Sequence, residues 1–261
     1  MKAKKFLASF LVLAFWVSCI TTTQLPVMAN SAGIQVSFDL SKAGKPIADK
    51  FSVLNAWNLN SSWTGAADNQ PMDYLSSDYP FLNSVQLMTA TGGSKDRDLF
   101  VNPDDRGTMT DYKFDTLIDA CRNVLKQGLK PYIVTGNVPI KFSSNPSAAG
   151  FGVNVRPPDD FNQYYMYIKS VADALVSAFG LGEVSTWTWG VLTEYENPDW
   201  FVTADWSPTN SENAYFKLYD YTVAALQASL GASNITACAE PQLHSYIKQT
   251  NKVMPLLHYK L

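Results

Sequence analysis

The chain has 261 residues, 46% of them hydrophobic and 16% charged, with a formal charge of −3. That is more chain than a small sandwich needs and enough for one large α/β domain; with no basic stripe, it excludes nucleic acid as a partner. His244 and His258 are the only histidines, and neither Cys-x-x-Cys nor His-Glu-x-x-His spacing occurs, which excludes the usual metal-site patterns and leaves no cofactor to expect.

The first residues carry the pattern of an export signal. Lys2, Lys4 and Lys5 precede an apolar run from Phe6 to Ile20, and Val27-Met-Ala29 offers small residues for cleavage after Ala29. The run is short for a membrane span and gives way to polar residues from Thr21 to Gln24, so no span is expected and the product is read as secreted. Lipidation at Cys19 is the weaker alternative, because Trp16 stands where a small aliphatic residue belongs. Removing 1–29 leaves 17 basic against 23 acidic residues, a formal charge of −6. It also leaves two cysteines, Cys121 on a predicted helix and Cys238 on a predicted strand; two buried free thiols are favoured over a disulfide.

Residues 30–50 read as an extension in which Ile34, Val36, Phe38 and Leu40 alternate as a peripheral strand. From Phe51 the pattern repeats. Short apolar strands are predicted at 51–56, 84–90, 131–135, 186–192 and 234–239, and helices at 112–127, 161–179 and 212–230, with further helical stretches at 72–82 and 242–249. In the 112–127 helix, Phe114, Leu117, Ile118, Cys121, Val124 and Leu125 form one apolar face, capped by Asp111 and ended by Gly128. In the 161–179 helix Tyr164, Tyr165, Ile168, Val171, Ala172, Leu175 and Val176 share a face between Asp160 and Gly180. The 212–230 helix opens after Ser211, groups Tyr215, Leu218, Tyr219, Val223 and Leu226, and stops at Gly231.

Alternating strands and helices imply parallel strands joined by right-handed crossovers. Helix-to-strand connections such as Gly128-Leu-Lys are short, whereas the strand-to-helix connections 92–111, 137–160 and 195–211 are long. Long loops on one face belong to a (β/α)8 TIM barrel, whose site is built at the carboxyl ends of its strands. A doubly wound sheet is the runner-up and lacks a phosphate-binding glycine motif after its first strand.

At the end of the fourth strand stands Glu194, with Trp189, Tyr195 and Trp200 close in sequence and a turn at Asn197-Pro198. Glycosidic bond cleavage needs a carboxylic acid to protonate the leaving oxygen and a second carboxylate to attack the sugar or activate water. Glu194 fits the first part; the structural alternative is a salt-bridged or solvated glutamate at a strand end. Asn55, Trp57, Thr89, Thr91, Thr135, Asn137, Thr193 and Trp200 occupy other strand-end positions, as cleft-lining groups for sugar hydroxyls and ring faces or as capping and wall residues. Seven Trp and thirteen Tyr supply rings that stack on sugars or fill a core. Asp104-Asp105 reads as a solvated loop pair and His244 as a packing or surface residue.

The stretch Trp189-Gly-Val-Leu-Thr-Glu-Tyr-Glu-Asn197 resembles the acid–base motif of the retaining clan of (β/α)8 glycoside hydrolases, most of all family 39 with its β-xylosidase- and iduronidase-like members. Val85-Gln-Leu-Met-Thr-Ala-Thr-Gly-Gly93 and the strand order over residues 50–240 add to the likeness. The resemblance implies that Glu194 is the general acid/base of a glycosidase acting on a carbohydrate. Thr193 stands where the clan has an asparagine that contacts the sugar 2-hydroxyl. The clan's nucleophile, a glutamate ending the seventh strand, has no counterpart among the five predicted strands. Glu196 and Glu240 are the nearest substitutes: Glu196, in the loop beyond Glu194, reads as a surface or substrate-contacting carboxylate, and Glu240, at the site-facing end of the fifth strand, reads at least as well as a structural residue before Pro241. The expectation is therefore a truncated N-terminal part of a hydrolase barrel over 51–261, with a non-catalytic carbohydrate-binding protein or an inert fragment as rivals.

Overall fold

The computed structural model describes residues 37, 39, 41, 52–56, 78–148, 151–195 and 197–235. All the elements below lie in one compact unit, Phe51–Leu261. Four strands, β1 (Val53–Ala56), β2 (Ser84–Leu87), β3 (Lys130–Thr135) and β4 (Thr188–Val191), pair in parallel in the order β1-β2-β3-β4. A doubly wound sheet reverses direction at its switch point, and this order never does. The architecture is that of an incomplete (β/α)8 barrel.

The helices are α1 (Asp115–Lys126), α2 (Phe161–Phe179), α3 (Leu181–Val184) and α4 (Pro208–Leu230). Val85, Leu87, Ile133 and Val191 of the sheet join one core with Leu117, Cys121 and Val124 of α1, Ile168, Val171 and Leu175 of α2, and Leu218, Ala225 and Leu226 of α4. At about 25 cal/mol per Å² of apolar surface, this burial is the main force holding strands to helices. Cys121 is a free, buried thiol within that core, and burial pushes its pKa up. Among the described residues no helix is long and apolar enough to cross a membrane.

Local signals fix most helix ends. The Asp160 side chain accepts the Asn162 N–H at 2.8 Å and caps α2. Gly128, Gly180 and Gly231 follow the helix ends at φ 72°, 83° and 85°, where a side chain would be strained.

Four expectations for the helices change. Asp111 does not cap α1; Phe114 holds that position, while Asp111 accepts the Asn102 N–H and meets Lys141. α4 begins a turn early, with Pro208 in the first turn and Ser207 as cap, because proline loses nothing where the N–H has no helical partner. Tyr167, not anticipated as inward, is wholly buried, whereas Tyr165 and Val176 pack only partly. Tyr79–Leu82, expected as the end of a helix, includes a turn closed by the Leu82 N–H on the Tyr79 carbonyl at 3.0 Å. α3 is an element the sequence did not announce.

Asn234 belongs to a 3-10 turn, Ala232–Asn234, rather than to a fifth strand, and its amide caps the Leu230 carbonyl at 2.7 Å. The rest of that strand, the 242–249 helix, the signal segment and residues 72–77 of the early helix lie outside the described residues, as does the peripheral strand apart from Ser37 and Asp39.

Candidate functional site

The carboxyl ends of β2, β3 and β4 converge through a few close contacts. The Leu192 N–H continues the ladder to the Thr135 carbonyl at 2.7 Å, and the Thr135 hydroxyl donates to the Gly190 carbonyl at 3.0 Å. Gly136 follows at φ 111°; a Cβ there would lie 2.6 Å from Leu192 Cγ and 3.0 Å from its nitrogen, so only glycine permits this approach. The Gly136 N–H reaches the Thr91 hydroxyl at 3.3 Å, and the Tyr167 hydroxyl donates to the Thr91 carbonyl at 2.8 Å. Thr91 and Thr135 are therefore buried joints between strand ends, their hydroxyls engaged within the fold.

Pressed against Gly136, the chain leaves β4 in an unusual conformation. Leu192 and Glu194 have φ of 56° and 48°, a region that bulky side chains rarely adopt and that costs about 1–3 kcal/mol per residue. The half-buried Glu194 takes the Asn197 amide at 3.5 Å on Oε2, and its carbonyl accepts the Asn197 N–H at 2.8 Å. Asn197, which the sequence offered only as a turn residue, is thus the support of the candidate acid. Tyr195 stacks on Tyr215 of α4 with ring centroids 3.9 Å apart, anchoring the residue after it.

Buried donors gather at these strand ends. Asn137 Nδ2, Thr193 Oγ1 and Trp189 Nε1 are buried with no hydrogen-bond partner among the described residues. A buried polar group left unmatched costs about 1–3 kcal/mol, which a ligand's hydroxyls would recover. Trp200, 4% exposed, stacks against Phe151 at 4.6 Å and 19°. Asn55 is exposed on β1 opposite Gln86. Trp57, Glu196, Glu240, His244 and Cys238 lie outside the described residues. Asp104 pairs with Lys95 at 2.7 Å and Asp105 accepts the Gly107 N–H at 2.8 Å, loop contacts with no link to the strand ends.

The loops after β2 and β3 are fastened by groups that the sequence did not single out. Asp98 accepts the Gly93 N–H at 2.7 Å and the Ile140 N–H at 2.8 Å, and burial raises its pKa to about 7 against the lowering effect of these donors. Lys141, 1% exposed, bonds the Thr108 carbonyl at 2.8 Å and Asp111 at 2.6 Å and lies 4.2 Å from the Phe100 ring centroid. Arg106 holds the Ser143 carbonyl and Asp159. These contacts tie the loop after β2 to the loop after β3. No set of three His, Cys, Asp or Glu residues able to hold a metal occurs among the described residues.

The profile of the family "Glycosyl hydrolases family 39" matches residues 95–256. A beta-xylosidase of Caldicellulosiruptor saccharolyticus is 30% identical over 129 residues, 49% of this chain and 25% of that protein. A beta-xylosidase of Geobacillus stearothermophilus is 28% identical over 118 residues, 45% of this chain and 22% of its own. The chain thus aligns with about a quarter of these curated relatives. The structure of a monomeric beta-xylosidase from Caulobacter crescentus CB15 superposes with a TM-score of 0.56 at 17% identity, over 82% of this chain and 42% of that one. A family-39 enzyme from Xanthomonas axonopodis pv. citri gives 0.57 at 15% identity, over 81% and 41%. Those structures share the fold, and the family profile spans most of the chain, including β3, β4 and the Glu194 turn: the chain belongs to glycosyl hydrolases family 39.

Proposed function

We propose that this protein is a secreted glycosidase that cleaves O-glycosidic bonds, with β-xylosides as its nearest substrate class, by a retaining two-carboxylate mechanism in which Glu194 is the general acid/base. The observation that carries the reading is the placement of Glu194 at the carboxyl end of β4, on left-handed backbone and bonded by Asn197. The relatives named beta-xylosidase support the substrate class.

In this mechanism the Glu194 carboxyl gives its proton to the leaving alcohol as a second carboxylate attacks the anomeric carbon; the resulting carboxylate then takes a proton from the water that releases the sugar. The five predicted strands offer no counterpart of the attacking carboxylate. Asp98 does not serve, since both its oxygens are committed to the Gly93 and Ile140 N–H groups. Asn137 and Thr193 present their unmatched donors and acceptors to sugar hydroxyls, and Trp200 with Phe151 forms an aromatic wall. Asn55, exposed on β1, is a further candidate contact, as Trp57 is by its place in the sequence.

The test is hydrolysis by the native gene product of β-xylosides with poor and with activated leaving groups. Glu194→Gln is expected to slow the poor leaving group about 10²–10⁴-fold and the activated one far less, since protonation matters least where the alcohol leaves unaided. Equal, small effects on both would remove Glu194 from the acid role. Sugar binding without turnover would instead support a binding protein, the reading favoured by the unmatched donors alone.

A further inference from the structure

Trp206 combines two costs that folding alone does not require. Its indole is 61% exposed, and its backbone has φ 56°. Both costs are held in place by a built turn. The Trp206 N–H closes on the Thr203 carbonyl at 3.0 Å, while the Asp205 carboxylate accepts the Thr203 hydroxyl at 2.6 Å, the Ser207 N–H at 3.1 Å and the Asn210 amide at 2.5 Å. From below, Arg156, itself only 8% exposed, donates to the Val202 and Thr203 carbonyls at 3.1 and 2.7 Å and sets its guanidinium 5.3 Å from the indole centroid. One face of the ring is thereby backed by a buried cation. A strained, bulky residue whose surroundings over-determine its position marks a functional constraint more often than a packing accident.

The indole borders a pocket of about 260 Å³. That is below the ~300–1,000 Å³ of sites for drug-sized ligands and suits a single ring. Its walls divide into two chemistries. Trp206, Pro198 and Pro208 are flat and apolar, while Thr209 and Glu212 supply hydroxyl and carboxylate groups. A pyranose has the matching division, with C–H faces that lie on an aromatic ring and hydroxyls at its edge. The carboxylate favours a neutral sugar over an anionic one. Tyr195, next in sequence to the candidate acid, also lines the pocket, so the site lies on the rim of the β4–α4 loop.

We infer that Trp206 and this pocket form a second saccharide-binding site, which takes one neutral pyranose unit of an oligosaccharide. The inference rests on the glycosidase reading for its ligand class and on Trp206 for its place. The Trp206 site holds the chain by stacking and hydroxyl contacts, with no bond made or broken there.

The experiment is titration of the native gene product with xylotetraose, followed by calorimetry, in wild type, Trp206→Ala, Trp206→Tyr and Glu194→Gln, each checked for native circular dichroism. Trp206→Ala is expected to weaken binding about tenfold. Trp206→Tyr, which keeps a ring, recovers most of the affinity, and Glu194→Gln leaves the Trp206-dependent part unchanged. Trp206→Ala binding as tightly as wild type overturns the site. So does wild type that fails to bind xylotetraose at millimolar concentration yet hydrolyses aryl xylosides in a Glu194-dependent way, an outcome that leaves the catalytic reading standing. Trp206-dependent binding without turnover keeps the site and removes the catalytic reading. Absence of both binding and turnover removes both.

Discussion

The Lys141 ammonium is wholly buried and lies 2.6 Å from Asp111 Oδ1, so an ion pair inside the protein ties the loop after β3 to the loop after β2. The Asp111 side chain keeps 16% of its exposure and the lysine none, and the cation is further held by the Thr108 carbonyl. Removing one member strands the other in a place water barely reaches. Lys141→Met is therefore expected to lower unfolding free energy by about 3 kcal/mol, with part of the loss restored in the Lys141→Met/Asp111→Asn double variant. Urea denaturation of the four proteins of this cycle gives the coupling directly.

The left-handed backbone at Glu194 predicts a trade between stability and chemistry. Asparagine tolerates that region better than glutamate does. Glu194→Asn should raise unfolding free energy by about 1 kcal/mol while removing the proposed acid. A thermal melt beside an activity assay reads both; a destabilised variant would show that the glutamate's contacts outweigh the strain at φ 48°.

Asp98 gives stability a pH dependence whose sign is fixed. Its folded pKa is raised from 3.8 to about 7, chiefly by burial. Between these values the folded protein holds a proton that the unfolded chain releases, so the contribution is full below about pH 4 and is lost as pH rises through 7. Wild type should lose stability relative to Asp98→Asn between pH 4 and pH 8, by at most about 4 kcal/mol. Denaturation curves at the two pH values measure it, and parallel behaviour of the two proteins would mean that Asp98 is already ionised at pH 4.

Much of this architecture was legible in local patterns. The apolar spacing of Leu117, Cys121 and Val124, the cap at Asp160 and the stops at Gly180 and Gly231 each depend on neighbours within a few residues, and the structure keeps them. Loop lengths pointed to a barrel before any pairing was known, and the position of Glu194 at a strand end followed from the run that precedes it. Where local signals compete, one of them gives way. Asp111 looks like a helix cap, yet an ion pair with Lys141, thirty residues away, claims its carboxylate. Ser211 looks like a helix start, yet the tolerance of proline for the first turn moves that start to Pro208.

By itself, then, the sequence determined the alternation of strand and helix, the face that carries the long loops and the chemical type of the residue that ends β4. It did so because hydrophobic period, capping and turn chemistry act over short distances along the chain. Only the tertiary structure decided which charges are buried and which backbone is strained. Asp98 meets the Ile140 N–H across 42 residues, and Leu192 is packed against Gly136, which has no side chain to hold it off. Such relations depend on where separate loops come to rest against each other, and burial of a charge or a left-handed φ has no periodic signature in the residues that bear it.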